Sequence, residues 1–109
     1  MKFKNMFSPI QIGPMTVKNR FVVPPMGNNF ANSDGTWSDE SVAYYGERAK
    51  GQFGLITIEA TVVHKGAKGG PKKPCLYDDN SIESLKKITD ACHAEGAKVS
   101  IQLQNAGPE

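Results

Sequence analysis

The feature that most constrains the fold is a short apolar run that ends at two consecutive prolines. Phe21–Val23 is followed directly by Pro24-Pro25. Valine favours a pleated, packed backbone, so the run predicts a short buried strand. Proline has no backbone N–H and cannot continue a ladder, so the strand is expected to end there. The next residues, Met26-Gly27-Asn28-Asn29, are therefore predicted to follow a fixed strand end with free backbone groups, the position at which α/β folds place their ligands.

A first amphipathic helix is predicted between Ser38 and Gly51. The Ser38 hydroxyl is suited to cap the first turn, because it can accept a hydrogen bond from an unpaired backbone N–H. Val42, Tyr45 and Ala49 recur at i, i+3 and i+7 and form one apolar stripe. Gly51 is the expected residue just beyond the end of the helix.

The second predicted strand is Gly54–Ala60. A parallel strand covered on both faces should be nearly all apolar. Thr57 and Glu59 depart from that pattern, on one face and near the C-terminal end. Two interpretations of Glu59 remain open: it belongs to a site or supports one, or it is the structural partner of a basic group.

A long loop rich in glycine, lysine and proline is predicted over residues 61–78. Its lysines favour a solvated loop over a phosphate-binding patch. These basic residues are Lys65, Lys68, Lys72 and Lys73.

A second helix and a third strand are predicted after this loop. Asn80 is expected to cap the helix, since Glu83 lies three residues on at the spacing of a capping box. Gly96 is expected to end it. The apolar face of this helix consists of Ile82, Leu85, Ile88 and Cys92. Lys98–Leu103 then alternates strictly, which predicts a strand with Val99, Ile101 and Leu103 packed under the helices and with Ser100 and Gln102 on the other face.

The order of these elements predicts an α/β fold with a parallel sheet. Two strand–helix units and a third strand should be joined by right-handed crossovers. The three strand ends, at Pro25–Gly27, Glu59-Ala60 and Gln102, would then lie on the same side. Residues 1–19 alternate around Gly13-Pro14 and predict a small hairpin before the first buried strand.

Composition places the chain among soluble globular proteins. A net charge of +2 over 109 residues gives no reason to expect nucleic acid or a membrane surface as a partner. No apolar run approaches the ~18 residues of a membrane-spanning helix, and no signal peptide is recognisable. A cytoplasmic location is the default expectation. Cys75 and Cys92 have no disulfide or metal spacing and are expected to be free thiols.

Taken together, these segments resemble the Old Yellow Enzyme family of FMN-dependent NADH:flavin oxidoreductases and ene-reductases. Their order and spacing agree over essentially all 109 residues. The matching segments are Phe7-x-Pro9-Ile10-x-Ile12-Gly13, Lys18-Asn19-Arg20, Pro25-Met26, Tyr45 with Arg48-Ala49, Gly54-Leu55-Ile56, Glu59-Ala60 and Gln102-Leu103. Within the family, the sequence is similar to the bacterial branch of 2,4-dienoyl-CoA reductases, enoate reductases and bile-acid-type ene-reductases.

The resemblance implies a (β/α)₈ TIM barrel that is preceded by a hairpin and carries FMN across its C-terminal mouth. Such a barrel needs about 250 residues. Residues 1–109 are therefore expected to be the N-terminal portion of a flavin-dependent oxidoreductase domain, an incomplete barrel.

The resemblance also implies which residues bind the cofactor. The amide side chain of Gln102 offers both a donor and an acceptor to the edge of the flavin. The alternative interpretation of Gln102 is a buried amide that is hydrogen-bonded to neighbouring backbone. The implied flavin contacts are Pro24, Pro25, Met26, Gly27 and Ala60 around the ring and Gln102 at its pyrimidine edge. Asn29 is the implied substrate contact.

Three positions depart from the family pattern. Gly27 occupies a position that often carries Thr or Cys, whose side chain can hydrogen-bond the flavin. Asn105 replaces a common His, and Pro108 replaces a common Arg.

No catalytic residue is expected in this chain. In the family, the His/His or His/Asn pair, the proton-donating Tyr and the phosphate-binding loops lie further along the sequence. His64 and His93 are not substitutes for them, because both are expected to be solvated.

The implied function is FMN-dependent reduction of activated C=C bonds by an NAD(P)H oxidoreductase. Its substrate would be a small-molecule enone, enoate or enoyl thioester, and the segment alone is expected to be inactive. One alternative is a flavin-free barrel enzyme of the aldolase or isomerase type. Another is a non-catalytic structural module that forms homo-oligomers through the unpaired edge of its third strand.

Overall fold

The computed structural model describes residues 2–67 and 72–107. Its strands and helices are, in chain order, β1 (Ile10–Ile12), β2 (Met15–Val17), β3 (Val22–Val23), α1 (Asp39–Lys50), β4 (Leu55–Val62), α2 (Ile82–Ala94) and β5 (Lys98–Gln104). Short 3₁₀ turns cover Lys65–Ala67 and Asp79–Ser81.

The sheet topology confirms the predicted α/β arrangement. β3, β4 and β5 are adjacent in that order and parallel. Val23 pairs with Ile56, and Ile56 pairs with Val99. Each pair of neighbouring strands is thus joined by a helical crossover, and the carboxyl ends of all three strands lie at the same edge of the sheet.

The predicted hairpin is also confirmed. β1 and β2 are antiparallel, with Ile10 opposite Val17. Gly13 lies in the turn with φ of 55°, a conformation that glycine adopts without a steric penalty.

The core lies between the helices and one face of the sheet. Tyr45 and Ala49 of α1 pack in one cluster with Ile56 and Ile58 of β4 and with Ile88 of α2. Burial of this apolar surface is the main stabilising contribution that holds the helices on the sheet.

Both cysteines are buried free thiols, as expected. Cys92 belongs to the core cluster, and burial raises its pKa to about 11. The Cys92 thiol is therefore protonated and unreactive near neutral pH.

Both ends of α1 are where the sequence predicts them. Ser38 Oγ accepts a hydrogen bond from the backbone N–H of Ser41 at 3.1 Å, so the predicted N-cap is present. Gly51 ends the helix but has φ of −70°. The left-handed conformation falls on Gln52 instead, with φ of 71°.

The predicted start of α2 is wrong. A 3₁₀ turn precedes the helix, and Asp78, not Asn80, caps it by accepting a hydrogen bond from the backbone N–H of Asn80. The helix itself begins at Ile82, which is 57% exposed. Ile82 therefore lies outside the buried face, which consists of Ile88 and Cys92 with Leu85 packed against them. Gly96 follows the helix with φ of 81°, as predicted.

β4 and β5 are both longer than predicted, so the predicted loop over residues 61–78 begins too early. Val62 is the last residue of β4 and forms a further parallel bridge with Cys75. Leu103 is 61% exposed instead of packed under the helices. β5 is an outer strand of the sheet, and the core contacts Val99 and Ile101 rather than Leu103.

Across the part of the chain that the structure describes, no helix has both the length and the apolar character needed to cross a membrane.

Candidate functional site

A β-bulge brings two of the predicted site residues together. Ile58 pairs with Ile101 and Thr61 pairs with Leu103. Glu59 and Ala60 of β4 therefore face the single residue Gln102 of β5, the two-against-one arrangement of a bulge. Ala60 and Gln102 are neighbours at the carboxyl edge of the sheet for this reason.

The segment after β3 is tied to the same bulge by a side-chain contact. Asn28 Nδ2 donates a hydrogen bond to Glu59 Oε2 at 3.0 Å. The three strand ends thus converge, and we refer to Pro24–Asn29, Glu59–Ala60 and Gln102 as the rim. This convergence agrees with the expectation from the parallel order of the strands.

The predicted ligand contacts on the rim are accessible. Met26 is 48% exposed, and Gly27, Asn29 and Gln102 are also exposed. Gln102 is consequently not the buried amide of the alternative interpretation. The contacts of these residues with flavin or substrate remain predictions.

Glu59 is a buried carboxylate that the structure connects to a helix and a loop. Its side chain is 2% exposed, and its Oε2 accepts hydrogen bonds from Tyr45 Oη at 2.5 Å and from Asn28 Nδ2 at 3.0 Å. Tyr45 Oη also accepts the backbone N–H of Glu59 at 3.0 Å. The hydrogen-bond partners are therefore a phenol and an amide, not the basic group of the second interpretation.

Thr57 has a different environment from Glu59. Its hydroxyl forms a hydrogen bond with the hydroxyl of Ser100, its cross-strand neighbour, at 2.7 Å. The two polar residues therefore do not form one shared cluster, because Thr57 lies in the regular part of the ladder and Glu59 lies in the bulge.

Burial raises the pKa of Glu59 above the ordinary value of 4.5. The hydrogen bonds from Tyr45 and Asn28, and the positive charge of Lys73, act in the opposite direction but do not cancel the effect. The pKa of Tyr45 is also raised, first by burial and then by its hydrogen bond to Glu59.

The raised pKa predicts a pH dependence of stability. The folded protein holds the Glu59 proton to higher pH than the unfolded chain does. Protonation of Glu59 therefore favours the folded state. This contribution to the free energy of unfolding is fully present below about pH 4.5 and is lost as pH rises through the pKa of the folded protein. We expect Glu59→Gln to remove this decline, so that the stability of the variant relative to the wild type increases with pH. Urea unfolding of both proteins from about pH 4 to about pH 8 measures the difference. A difference that is constant over this range would contradict the prediction.

An apolar cavity of about 380 Å³ lies beside the rim, between β3 and the end of α1. The first residues of the rim form one wall, and the end of α1 forms the other. The lining residues are Val22, Val23, Pro24, Met26, Glu47, Arg48 and Phe53. The Arg48 guanidinium lies 3.6 Å from the centroid of the Tyr44 ring, which fixes its position.

The remaining polar residues singled out by the sequence lie away from the rim or in exposed positions. His64, His93 and Asn105 are exposed, as expected for the two histidines. Lys65 and Lys72 are exposed and Lys73 is half-buried. Lys68 and Pro108 lie outside the described residues.

The sequence profile of the NADH:flavin oxidoreductase / NADH oxidase family matches residues 5–109. The chain belongs to this family. Family membership confirms the resemblance and identifies the fold as the N-terminal part of a TIM barrel.

Solved structures of relatives agree with the fold over nearly the whole chain. A complex of 2-naphthoyl-CoA reductase with 2-naphthoyl-CoA superimposes with a TM-score of 0.91 at 34% identity, and the match covers 95% of this chain and 16% of the reductase chain. The old yellow enzyme from Trypanosoma cruzi gives 0.88 at 36% identity, covering 98% and 28% of the two chains. Morphinone reductase in complex with tetrahydroNAD gives 0.86 at 30% identity, covering 94% and 28%. The chain thus spans less than a third of the length of each of these relatives.

Proposed function

We propose that this chain is the N-terminal segment of an FMN-dependent NAD(P)H oxidoreductase that reduces activated C=C bonds by hydride transfer from the flavin. The observation that carries the proposal is the convergence of three strand ends on the rim, in a chain of the flavin oxidoreductase family. Substrates of the enone, enoate or enoyl-thioester type follow from the same proposal. The relatives that hold 2-naphthoyl-CoA and tetrahydroNAD support a thioester substrate and a nicotinamide donor.

The residues of the rim fit a flat heteroaromatic ring. The exposed amide of Gln102 can donate to a ring carbonyl and accept from a ring N–H. An added Cβ at Gly27 would have no atom within 4 Å, so the backbone there is open to close approach. Pro24 and Pro25 present rigid apolar rings. FMN, when bound, supplies the hydride, while these residues hold the ring and exclude water from the side that they cover.

The free edges of the sheet support placing the segment within a longer chain. β3 and β5 each pair only with β4 among the described strands. Val22 and Leu103 are exposed on these outer strands, and the apolar cavity opens beside β3. Further strands and helices of a closed barrel would cover these surfaces. We therefore expect neither turnover nor flavin binding from residues 1–109 alone.

Of the two alternatives, family membership disfavours a flavin-free aldolase or isomerase. Self-association of the isolated segment is favoured by its exposed Val22, Met26 and Leu103 and by its unpaired strand edges. Light scattering of residues 1–109 tests it: a mass that increases with concentration supports association, and a monomer at all concentrations counts against it.

The proposed function is tested by purifying the full-length protein and residues 1–109 side by side. We expect the full-length protein to keep the visible absorption of bound flavin through gel filtration and to oxidise NAD(P)H when an enone is added. The segment should be colourless. A full-length protein that takes up no FMN, or a segment that stays yellow, would contradict the proposal.

The open space at Gly27 leads to a prediction about the flavin potential. The added Cβ of Gly27→Thr would meet no atom of the described residues, and the threonine hydroxyl would then be available to the flavin. A hydrogen bond donated to a ring that gains negative charge on reduction should raise the two-electron midpoint potential by roughly 30 mV. Spectroelectrochemical titration measures it, with Gly27→Ala as the control that lacks the hydroxyl. Equal potentials for Gly27→Thr and Gly27→Ala would contradict the prediction.

A further inference from the structure

Glu59 forms a closed hydrogen-bonded arrangement with Tyr45. The Tyr45 hydroxyl accepts the backbone N–H of Glu59, and the single hydroxyl proton is donated to Glu59 Oε2. The Glu59 side chain is the acceptor of this second hydrogen bond. The bulge of β4 is thereby attached to α1 at a fixed position.

Asn28 extends this arrangement to the segment that precedes it. Its Nδ2 donates to Glu59, and its Oδ1 accepts the backbone N–H of Phe30 at 3.0 Å. Both ends of the amide are thus occupied. Asn29, held between the two contacts, has a left-handed backbone with φ of 59°, a conformation that asparagine adopts more readily than most residues.

The residues before Asn28 depend on this attachment. Pro24 and Pro25 have no backbone N–H to bond to β4, and Met26 and Gly27 are exposed. The hydrogen bond from the Asn28 side chain to Glu59, together with the Asn28 backbone beside the same carboxylate, consequently attaches the end of Pro24–Gly27 to the bulge.

We infer that Glu59 is a positioning residue of the flavin site, which acts through Asn28 to hold Pro24–Gly27 in register with Ala60 and Gln102. This inference rests on the proposed function, because it assigns the rim to FMN. Glu59 itself is buried and is not expected to touch the flavin. Glu59 affects the binding of the cofactor by holding the segment Pro24–Gly27 in place.

The chemistry of the contact allows it to be broken and then restored. Asn28→Asp keeps the acceptor for the Phe30 N–H but replaces the donor that faces Glu59 with a second oxygen. The double variant Asn28→Asp/Glu59→Gln exchanges donor and acceptor. Asn28 and Tyr45 both bond to Glu59 Oε2. An amide nitrogen in that place has two protons, one to donate to the new carboxylate at position 28 and one to donate to Tyr45 Oη. The net charge of the double variant equals that of the wild type.

A matched control removes the same kind of amide elsewhere. Asn32 Nδ2 donates to Thr36 Oγ1 at 3.0 Å in an exposed loop that does not bond to Glu59. Asn32→Asp therefore repeats the chemical change of Asn28→Asp without breaking the contact to Glu59.

Two measurements on the full-length protein test the inference. Hydrogen exchange of the flavin-free protein should show amides of residues 26–31 exchanging about tenfold faster in Asn28→Asp than in wild type or Asn32→Asp. The FMN dissociation constant should rise about tenfold in Asn28→Asp. The double variant should return both quantities to near the wild-type values.

The outcomes separate the inference from the proposed function. Unchanged exchange in Asn28→Asp, or a double variant that behaves like Asn28→Asp, would overturn the positioning role. Faster exchange with unchanged FMN affinity would also overturn it, since the contact would then be structural only. A wild-type protein that binds no FMN would refute the proposed function instead, and the exchange data would still report whether Glu59 holds the segment.

Discussion

Replacing Gly54 with alanine is expected to lower the free energy of unfolding by about 2 to 3 kcal/mol. An added Cβ would lie 2.7 Å from Asn19 Oδ1, 2.7 Å from Val17 Cγ1 and 2.9 Å from the backbone oxygen of Asn19. These atoms cannot move away easily. Asn19 is buried, its Nδ2 donates to the backbone oxygen of Gln52 at 2.7 Å, and its Oδ1 accepts the backbone N–H of Phe21. The substitution would therefore push the hairpin away from the start of β4.

Gly27→Ala is the matched control for this substitution. No atom lies within 4 Å of a Cβ at Gly27, so we expect a change in unfolding free energy of less than about 0.5 kcal/mol. Urea denaturation of the two variants and the wild type measures both values. Equal stability of the Gly54→Ala variant and the wild type would show that the contact between the hairpin and β4 is not as close as the structure indicates.

Tyr45→Phe is expected to destabilise the protein by about 2 to 4 kcal/mol, although it removes a single oxygen atom. The loss leaves the backbone N–H of Glu59 without its acceptor and removes one of two donors from a carboxylate that is almost completely buried. A buried polar group that loses its partner costs more than the hydrogen bond contributes on balance, because water cannot replace the partner. The aromatic ring stays in the core, so the substitution loses little of the stability that comes from packing.

The neighbouring Tyr44 provides the control for this prediction. Within residues 2–67 and 72–107 its hydroxyl has no hydrogen-bond partner, and its ring contacts Arg48 and Phe30. Tyr44→Phe should therefore change the unfolding free energy by less than about 0.5 kcal/mol. Thermal unfolding of both variants compares them. Similar losses in the two variants would mean that the ring packing, and not the Tyr45 hydroxyl, determines the effect.

The strands and helices were predictable because their signals are local. The run that ends at Pro24, the stripe through Tyr45 and Ala49, and the alternation after Gly96 each depend on a periodicity within one element. The parallel order of the strands then followed from the handedness of the crossovers. The start of α2 was missed because two acceptable capping residues, Asp78 and Asn80, lie close together and the sequence does not show which of them begins the turn.

The contacts that hold the rim together were not predictable from the pattern. The bulge at Glu59–Ala60 depends on the pairing of β4 with β5, and a register change has no signal in the residues of one strand. The sequence places Tyr45 in an apolar stripe and in a segment of the family resemblance, but neither indicates a bond from its hydroxyl to Glu59. Nothing in the spacing from Asn28 to Glu59 indicates that these two side chains meet. Glu59, the one charged residue of β4, is the available signal, and it identifies the position without identifying its partners.

The central claim is that the rim of three strand ends binds a flavin, and FMN titration of a Gln102→Leu variant tests it most directly. In the full-length protein, loss of the amide should raise the FMN dissociation constant about tenfold or more. Lys98→Gln, an exposed change at the opposite end of β5, should leave it unchanged. Equal FMN affinities for the Gln102→Leu variant and the wild type would contradict the account.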